Sequence, residues 1–383
     1  MIPLTRENLE KDIRRRVDGL GEIMRRKDLG VAIMPVAGAA RMNGLLRYFT
    51  NAELWAGKAY VLLAKGEEVP HVLYASNYEA AWGEATATRA EIETVATDRD
   101  PMERLCTLVG EFAGGSTRIG IANADTHLSV AEGIALREGL GEVSMIDITD
   151  DINAMRLIKS PFEVEVMRDL GRIMAEAMDI YEENLRPGVR AWEVGAMAEA
   201  HIKANGGFRG WHKHSLDGRP FSMPTTLDRR LRRDDVITFE LDYSGPYGYW
   251  CELSCVFSFG DLPEDDWRRL ELTQRAIAES AVAAVPGARK GVVGEVSDAV
   301  FREAGFEVIG AHTRHCHSIG TDDLDLRHPL SDDDPLQENM VLSYHPATLL
   351  EGDRAFLISD NFVITPGGAE PLSPRGWPHR VIE

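Results

Sequence analysis

Three carboxylates stand in one short segment that otherwise has the pattern of a β-hairpin. The segment TFELDYSGPYGYWCELS, residues 238–254, carries Glu240, Asp242 and Glu252. Side chains two apart on a strand share a face, so Glu240 and Asp242 should project together, roughly 6.5–7 Å apart. The turn residues of YSGPYG reverse the chain and bring Glu252 back within cross-strand reach. Converging carboxylates repel one another unless a cation or protons neutralise them, so the pattern indicates a site of that kind.

The simpler alternative is an edge hairpin whose acidic side chains face water. The flanking stretches VITF and CVFSF are apolar on both faces, as in a strand that is buried on both sides. We therefore favour a functional site over a solvated surface.

A second group of polar residues lies further along the chain. The segment HTRHCHSIGTDDLD, residues 312–325, combines three histidines with a Ser-Ile-Gly turn and clustered acids. His345 then interrupts the apolar strand pattern NMVLSYHPATLL, and Asp360 interrupts AFLISDNFVIT. A lone polar residue in a strand is usually a satisfied core group or an edge feature. Because both strands belong to the half that holds His317, we predict that His317, His345 and Asp360 contribute to one site.

Helices and strands alternate over residues 1–150. RENLEKDIRRRVDGLGEIMRRK has helical periodicity, and the apolar runs VAIMPVAG, KAYVLLAKG, VPHVLYAS and RIGIANAD are typical of short buried strands. This alternation predicts an α/β N-terminal domain. We place its boundary at residue 150 and assign residues 151–383 to a second domain.

The second domain contains two weakly similar halves. Ser160, Pro161 and Glu163 mark a helix start with a capping box. A stripe of apolar residues follows at helical spacing and is expected in the core rather than against a cofactor: Met167, Leu170, Ile173, Met174, Ala177, Ile180 and Tyr181. The stretch RPGVRAWEVGAMAEA (186–200) is echoed by VPGARKGVVGEVSDA (285–299), and a strand-rich segment follows each. We predict an α+β domain built from two pseudo-symmetric halves, with a site where the two sheet halves meet.

The composition limits the classes of partner. The chain has 383 residues and a formal net charge of −20, with 62 acidic against 42 basic residues. Such a surface repels nucleic acid and anionic membranes, so neither partner is expected. The segment MIPLTRENLEKDIRRRVDGL is charged and lacks the apolar stretch of a secretory signal, and no run of about eighteen apolar residues occurs. We therefore expect a cytoplasmic protein.

The chain resembles the pita-bread superfamily from RLIKSPFEVEVMR at residue 156 to LISDNFVITPGG near residue 368. That superfamily includes aminopeptidase P, prolidase, methionine aminopeptidase and creatinase. Residues 1–150 resemble the creatinase-type N-terminal domain, with LLRYFTNAELW as the comparable stretch. The resemblance implies a pita-bread fold for the second domain and a small-molecule substrate. It also implies a homodimer in which one subunit's N-terminal domain reaches over the partner's site, which makes Trp55 a candidate substrate-binding residue.

The metallopeptidases of this superfamily bind two metal ions through Asp, Asp, His, Glu and Glu, in that order. On this sequence the resemblance places these ligands at Glu240, Glu252, His317, His345 and Asp360. Only His317 has the expected residue type. Each replacement still carries a group that ligates divalent cations such as Mn, Fe, Zn or Co, so a metal centre is implied, with a metal-free site as the alternative.

Two histidines that the peptidases use are missing. One falls near Ser222 and Met223, and the other falls on Leu324. These departures argue against ordinary Xaa-Pro peptidase activity. His212 and His214, in the segment RGWHKHSLDG, are then the candidates for proton transfer and substrate binding.

One branch of the superfamily matches the irregular features. The peptidase-like dimethylsulfoniopropionate lyases use an extra carboxylate two residues after the first ligand and a hairpin that is one residue longer. Asp242 and the twelve-residue spacing from Glu240 to Glu252 fit that pattern, with Asp242 as a further metal ligand. Asp323, six residues after His317, stands where those lyases carry the catalytic base. Another relative, creatinase, cleaves a C–N bond without metal, through histidine and glutamates.

Three functions follow from these features. The first is a hydrolase of a C–N bond in a small peptide-like or amidine-like substrate, with His317 as a ligand or as the group that stabilises the tetrahedral intermediate. The second is a metal-dependent lyase in which Asp323 removes the α-proton of the substrate. The third is a catalytically inactive domain used for binding. Family precedent places the hydrolase first and the lyase second, and the filled ligand positions place the binding domain third.

Overall fold

Two compact units make up the chain. The computed structural model describes residues 2–38, 44–96, 99–216, 229–306, 308, 316–324, 330–345, 356–377 and 379–382. The N-terminal unit comprises Met1–Phe162 with Thr321–Arg327, and the C-terminal unit comprises Glu163–Gly320 with His328–Glu383. The domain boundary at residue 150 stays a prediction.

The N-terminal unit is a mixed sheet with helices, which confirms the α/β prediction. In chain order its elements are α1 (Arg6–Lys27), β1 (Val31–Ala37), α2 (Gly44–Thr50), β2 (Lys58–Ala64), β3 (His71–Tyr74), α3 (Asn77–Thr86), β4 (Glu91–Thr94), α4 (Pro101–Ala113), β5 (Arg118–Ile121), α5 (Ala124–His127), α6 (Val130–Leu140), β6 (Ser144–Asp147) and α7 (Thr149–Leu157). The strand order is β4-β3-β2-β1-β5-β6, with β1 antiparallel to β2 and parallel to β5. The four apolar runs form β1, β2, β3 and β5, and their side chains share a core with those of α4 and α6.

A short segment that begins at Thr321 belongs to the N-terminal unit and is held there by a buried ion pair. Arg156, on α7, donates from Nη2 to Oδ2 of Asp322 over 2.7 Å and to Oγ1 of Thr321 over 2.9 Å. The backbone N–H of Gly44 donates to Oδ1 of Asp322 over 2.8 Å. A Cβ on Gly44 would lie 2.4 Å from Oδ2 of Asp322, so glycine leaves the room that this contact needs. These contacts constrain the backbone that leads into Asp323.

The C-terminal unit contains four helices and two four-stranded sheets among its described residues. In chain order its elements are α8 (Pro161–Asn184), α9 (Ala191–Ala204), β7 (Gly210–Ser215), β8 (Val236–Ser244), β9 (Trp250–Ser258), α10 (Glu264–Ala283), α11 (Val292–Glu303), β10 (Cys316–Ser318), β11 (Val341–Tyr344), β12 (Asp360–Thr365), β13 (Gly368–Pro371) and β14 (Arg380–Val381). One sheet has the order β14-β9-β8-β7, and the other has the order β10-β11-β12-β13. A bridge between Ser254 and Ser359 joins the two sheets.

Each half of this unit consists of two helices followed by strands, as the internal repeat predicts. Helices α8 and α9 precede β7 to β9, and α10 and α11 precede β10 to β13. Helix α8 begins at Pro161, the predicted first helical position. Leu170, Met174 and Tyr181 from its apolar stripe pack with Phe239 of β8 in one core cluster. The stripe is therefore core, and the candidate site must use the other face of the sheet.

Candidate metal centre

The hairpin of β8 and β9 places its acidic side chains on one face. Its antiparallel register pairs Asp242 with Glu252 and Glu240 with Ser254. Every residue of both strands is buried, and Asp242 is 1% exposed. Carboxylate oxygens of Asp242 and Glu252 lie within 4.8 Å of each other. Leu241, which alternates with the acids, packs in the core cluster that contains α8, so the acids occupy the face turned away from that helix.

Glu252 lies between two imidazoles from the second half of the unit. Its Oε1 is 3.3 Å from Nε2 of His317, and its Oε2 is 3.9 Å from Nε2 of His345. The hydroxyl of Ser343 donates to Oε2 over 2.7 Å. His317 pairs with Ser343 across β10 and β11, and His345 directly follows β11. One carboxylate and two imidazoles therefore converge, with ligand atoms within 4.8 Å of one another, and we call these three residues the Glu–His–His group.

The backbone of Glu252 is fixed by an amide side chain from β12. The Nδ2 of Asn361 donates to the carbonyl oxygen of Glu252 over 2.9 Å. The backbone N–H of Glu252 donates in turn to Oδ1 of Asn361 over 3.2 Å. Sequence reasoning overlooks Asn361 because it stands beside Asp360, although a buried amide in an apolar strand needs partners and so signals a contact of this kind.

The surroundings of Glu252 keep its carboxyl ionised. Burial would raise the pKa of this carboxyl, but the hydrogen bond and charge of His317 act against it. The charge of His345 and the hydrogen bond from Ser343 add to that effect, so the pKa of Glu252 lies well below its usual range. The two oxygen atoms of the ionised Glu252 carboxylate therefore each face one imidazole ring.

This set of side chains fits a divalent cation. Imidazole nitrogen and carboxylate oxygen are common ligands of zinc and of other first-row divalent ions. Nδ1 of His317 lies 3.1 Å from the carbonyl oxygen of Ser318, which can only accept, so the ring donates its Nδ1–H there. Without a cation, a proton on Nε2 faces Glu252. A bound cation would replace that proton and accept the lone pair of Nε2, while the contact at Nδ1 sets the orientation of the ring.

Glu240, a predicted ligand, is paired with a lysine. Lys213 lies opposite Glu240 in the register of β7 and β8, and its Nζ is 3.1 Å from Oε2 of Glu240. Burial lowers the pKa of Lys213, but the charges of Glu240, Asp242 and Glu252 outweigh burial and raise it above its usual value. Sequence reasoning overlooks Lys213 because it stands between two histidines. Strand alternation, which turns it to the face opposite theirs, is the signal that identifies it.

The carboxylate of Asp360 does not belong to the groups of ligand atoms that converge around Glu252. Its Oδ2 accepts from Nε1 of Trp377 over 3.1 Å, and its Oδ1 accepts the backbone N–H of Asn361 over 2.7 Å. Burial raises the pKa of its carboxyl to about 8, although these hydrogen bonds lower it. Neighbouring side chains alternate between the faces of a strand, so Asn361 faces Glu252 where Asp360 does not. A ligand role for Asp360 stays a prediction.

His212 and His214 lie on the core side of the sheet. The ring centroid of His214 is 4.8 Å from that of Phe239 and 5.6 Å from that of Tyr181. Nδ1 of His212 is 3.3 Å from the hydroxyl of Tyr243. The structure therefore does not bring either histidine to the Glu–His–His group. Proton transfer or substrate binding by them stays a prediction.

The buried imidazole of His214 predicts a loss of stability in acid. Burial, with a smaller effect from His212, lowers the pKa of His214 to about 3. An unfolded histidine has a pKa of about 6.5, so below that pH the unfolded chain binds a proton that the folded chain does not, and stability falls as pH decreases. We expect His214→Phe to lessen this fall by on the order of 1–2 kcal/mol between about pH 6.5 and pH 5, measured by urea unfolding.

Measurements between about pH 9 and pH 8 provide the control for this variant. There the imidazole is neutral in both states, so the variant and the wild-type protein should show the same slope of stability against pH. An equal loss of stability in acid for both proteins would contradict the attribution of that loss to His214.

Trp55 and Asp323 both belong to the N-terminal unit. Trp55 is 54% exposed, and its ring centroid is 6.2 Å from that of Tyr78 on α3. Asp323 is buried. Substrate binding by Trp55 and catalysis by Asp323 stay predictions.

Several positions that the sequence analysis singles out lie outside the described residues: Ser222, Met223, His312, His315 and Asp325.

Comparison with known proteins gives matches over both domains. The model of metallopeptidase family M24 matches residues 165–366, and the model of the creatinase/prolidase N-terminal domain matches residues 16–158. An uncharacterized hydrolase/peptidase of Sinorhizobium fredii is 26% identical over 361 residues, which cover 89% of this chain and 90% of that protein. An Xaa-Pro dipeptidase of Pyrococcus furiosus is 24% identical over 272 residues, which cover 69% of this chain and 75% of that protein.

Solved structures share the fold. The prolidase of Pyrococcus horikoshii OT3 has a TM-score of 0.77 at 18% identity, with coverage of 94% of this chain and 98% of that chain. The Xaa-Pro dipeptidase of Bacillus anthracis has a TM-score of 0.78 at 17% identity, with coverage of 96% and 99%. These likenesses and the family models confirm the predicted pita-bread fold and its creatinase-type N-terminal domain.

The two-halved fold and the Glu–His–His group define a pita-bread protein with a candidate metal centre. The chain belongs to metallopeptidase family M24. Metallopeptidases of this family use divalent metal ions, and the relatives compared above are named as hydrolases or peptidases. Among the helices in the described residues, none combines the length and the apolar character needed to cross a membrane. The homodimer and the cytoplasmic location stay predictions.

Proposed function

We propose that the protein is a metal-assisted hydrolase that cleaves a C–N bond in a small peptide-like or amidine-like substrate. One observation carries the proposal: Glu252 lies between the Nε2 atoms of His317 and His345, at 3.3 and 3.9 Å. One relative and one structural neighbour are named Xaa-Pro dipeptidases, which supports a dipeptide-like substrate. Membership of a metallopeptidase family supports hydrolysis as the reaction class.

The Glu–His–His group would hold the cation. We propose Asp242 as a fourth ligand, because it lies opposite Glu252 in the hairpin and its carboxylate is within 4.8 Å. Mn, Fe, Zn and Co all accept carboxylate and imidazole ligands. When bound, such a cation polarises a scissile carbonyl and makes water nucleophilic near neutral pH.

The chain's own contribution is to hold these ligands in place. Asn361 restrains the backbone of Glu252 with two hydrogen bonds. Ser343 restrains one carboxylate oxygen of Glu252, and the carbonyl of Ser318 restrains the ring of His317. Ligands that are oriented before substrate binds need little rearrangement during the reaction, which favours catalysis.

Removal of metal should abolish hydrolysis. We expect the chelator-treated, untagged protein to lose at least about 100-fold of its activity on a panel of Xaa-Pro dipeptides and small amidines, because a bound Lewis acid is worth several kcal/mol. Addition of Mn²⁺, Fe²⁺, Zn²⁺ or Co²⁺ should restore the rate. The measurements are metal content by mass spectrometry and initial rates of hydrolysis. Full activity in a metal-free sample would contradict metal assistance and favour a creatinase-like, metal-free reaction.

Two histidine variants, one in the site and one outside it, provide a matched test of the metal centre. His317→Ala should weaken metal binding by more than about 10–100-fold, which is the cost of losing a group that only supports a ligand. His201→Ala is the control, because His201 lies on α9 and its Nε2 contacts Glu176 at 3.0 Å. Equal metal affinity in the two variants would place the metal elsewhere.

A metal-dependent lyase is the second candidate function. The observation that favours it is Asp242, a third buried carboxylate on the site face of the hairpin. In this version Asp323 would remove the α-proton of a sulfonium or betaine substrate, so Asp323→Asn should keep the metal and lose turnover. Loss of metal in that variant would contradict the role of Asp323 as a base. A protein that binds such compounds without turning them over would instead be the inactive binding domain.

The homodimer is also a proposal. Sedimentation of the purified protein tests it, since a dimer has twice the mass of the chain. In a dimer that covers its partner's site, Trp55→Ala should raise the KM with little change in kcat, because the exposed indole would contact substrate but not the reacting bond.

A further inference from the structure

A lysine side chain pairs with Glu240, the carboxylate that the superfamily's pattern assigns to a metal ion. Nζ of Lys213 is 3.1 Å from Oε2 of Glu240, and the two residues face each other across β7 and β8. The Glu240 side chain is 11% exposed, so its carboxylate depends on protein groups for neutralisation. The ring of Trp211, two residues before Lys213, lies 5.8 Å from Nζ and helps to hold the ammonium on this face.

We propose that the ammonium of Lys213 replaces one metal ion, so that the site binds a single divalent cation at Glu252, His317 and His345. This inference rests on the metal centre proposed above. The superfamily's two-metal pattern assigns Glu240 to the metals, whereas here Glu240 is already neutralised by Lys213.

The charges of the three hairpin acids agree with one metal ion beside the ammonium of Lys213. Glu240, Asp242 and Glu252 carry three negative charges when ionised, and one divalent cation with one ammonium neutralises them.

The residues paired with Glu240 on the neighbouring strands also favour the ammonium of Lys213, rather than a second metal ion, as its partner. Its partners across the two neighbouring strands are Lys213 and Ser254. The hydroxyl of Ser254 donates to the carbonyl oxygen of Leu357 over 3.1 Å and accepts from the hydroxyl of Ser359 over 3.1 Å. These hydroxyls are engaged with each other and with backbone, and hydroxyls are weaker metal ligands than the carboxylate and imidazole of the Glu–His–His group.

The stoichiometry of Mn²⁺ binding tests the proposal. Apo protein is titrated with Mn²⁺ in a calorimeter, and the loaded protein is examined by electron paramagnetic resonance, which separates an isolated ion from a coupled pair. The wild-type protein and Lys213→Arg should each bind one equivalent and give the spectrum of an isolated ion. Lys213→Met should bind a second equivalent, because Glu240 then lacks its counter-charge.

Lys65→Met is the matched control, because Lys65 forms an exposed ion pair with Asp28 at 3.1 Å in the N-terminal unit. It should bind one equivalent, like the wild-type protein. Two equivalents or a coupled spectrum in the wild-type protein would overturn the inference, and so would a single equivalent in folded Lys213→Met. No binding in the wild-type protein would overturn the underlying metal centre and this inference with it. That outcome is distinct, because in the other two contradicting outcomes the wild-type protein still binds Mn²⁺.

Discussion

Glu252→Gln should weaken metal binding by more than about 100-fold and abolish turnover while the chain stays folded. Loss of a group that only supports a ligand costs about 10–100-fold, and Glu252 would itself be a ligand. It supplies the only carboxylate of the Glu–His–His group, with an oxygen atom 3.3 Å from His317 and another 3.9 Å from His345. Glutamine keeps the size and the backbone contacts with Asn361 but removes the charge that a cation needs.

Metal content, hydrolysis rates and circular dichroism of the variant measure these effects. Glu279→Gln is the control, because Glu279 forms an exposed pair with Arg275 on α10 and should change neither metal content nor rate. A Glu252→Gln protein that keeps stoichiometric metal would place the cation at other side chains. A protein that keeps its activity without metal would favour the metal-free reaction.

Arg156→Met should lower the free energy of unfolding by about 3–5 kcal/mol. The Arg156 side chain is 2% exposed and pairs with Asp322 at 2.7 Å. Removal of one partner leaves the other charge buried and without its main counter-charge, which is the reason for so large an effect. The substitution also frees the backbone after Asp322, so a catalytic role of Asp323 predicts a lower kcat as well.

The double variant Arg156→Met/Asp322→Leu separates charge burial from general packing. It should be more stable than Arg156→Met alone, because no uncompensated charge then remains buried. Arg168→Met is the control for an exposed pair, since Arg168 contacts Glu370 at 3.2 Å near the surface and should change stability by about 0–1 kcal/mol. Urea unfolding of all four proteins gives the comparison, and equal effects of Arg156→Met and Arg168→Met would contradict the prediction.

Much of the fold follows from local patterns in the sequence. Continuous apolar runs of four to seven residues mark β1, β2, β3 and β5 because both faces of those strands are buried. The start of α8 follows from Pro161, and its buried stripe follows from helical spacing. The repeated helix–helix–strand order also predicts that two halves build the second domain. These features depend on neighbours in the chain, which is why they are visible without tertiary structure.

The composition of the site is partly predictable for the same reason. Glu252, His317 and His345 stand out because charged or imidazole side chains interrupt apolar strand patterns. The hairpin turn between β8 and β9 also predicts that Glu252 returns opposite the first two acids. These patterns do not identify the partner of each side chain. Glu240 and Asp360 are both predicted as metal ligands, but Glu240 pairs with Lys213 and Asp360 with Trp377.

The tertiary structure decides which groups meet. Lys213 reaches Glu240 because β7 and β8, separated by a long connection, pair in one particular register. A shift of that register by one residue would turn Lys213 to the other face and bring a neighbouring histidine to the acids. The same alternation directs Asn361 rather than Asp360 towards Glu252.

The sequence by itself determined the family resemblance, the two domains' fold classes and the presence of a carboxylate and histidine set suited to cations. Only the tertiary structure decided that Glu252 lies between His317 and His345, and that Glu240 is neutralised by Lys213. The physical reason is that residue types and spacing set the chemistry available on each strand. Contacts between strands far apart in the chain depend on register and face, which are settled only when the two halves pack together.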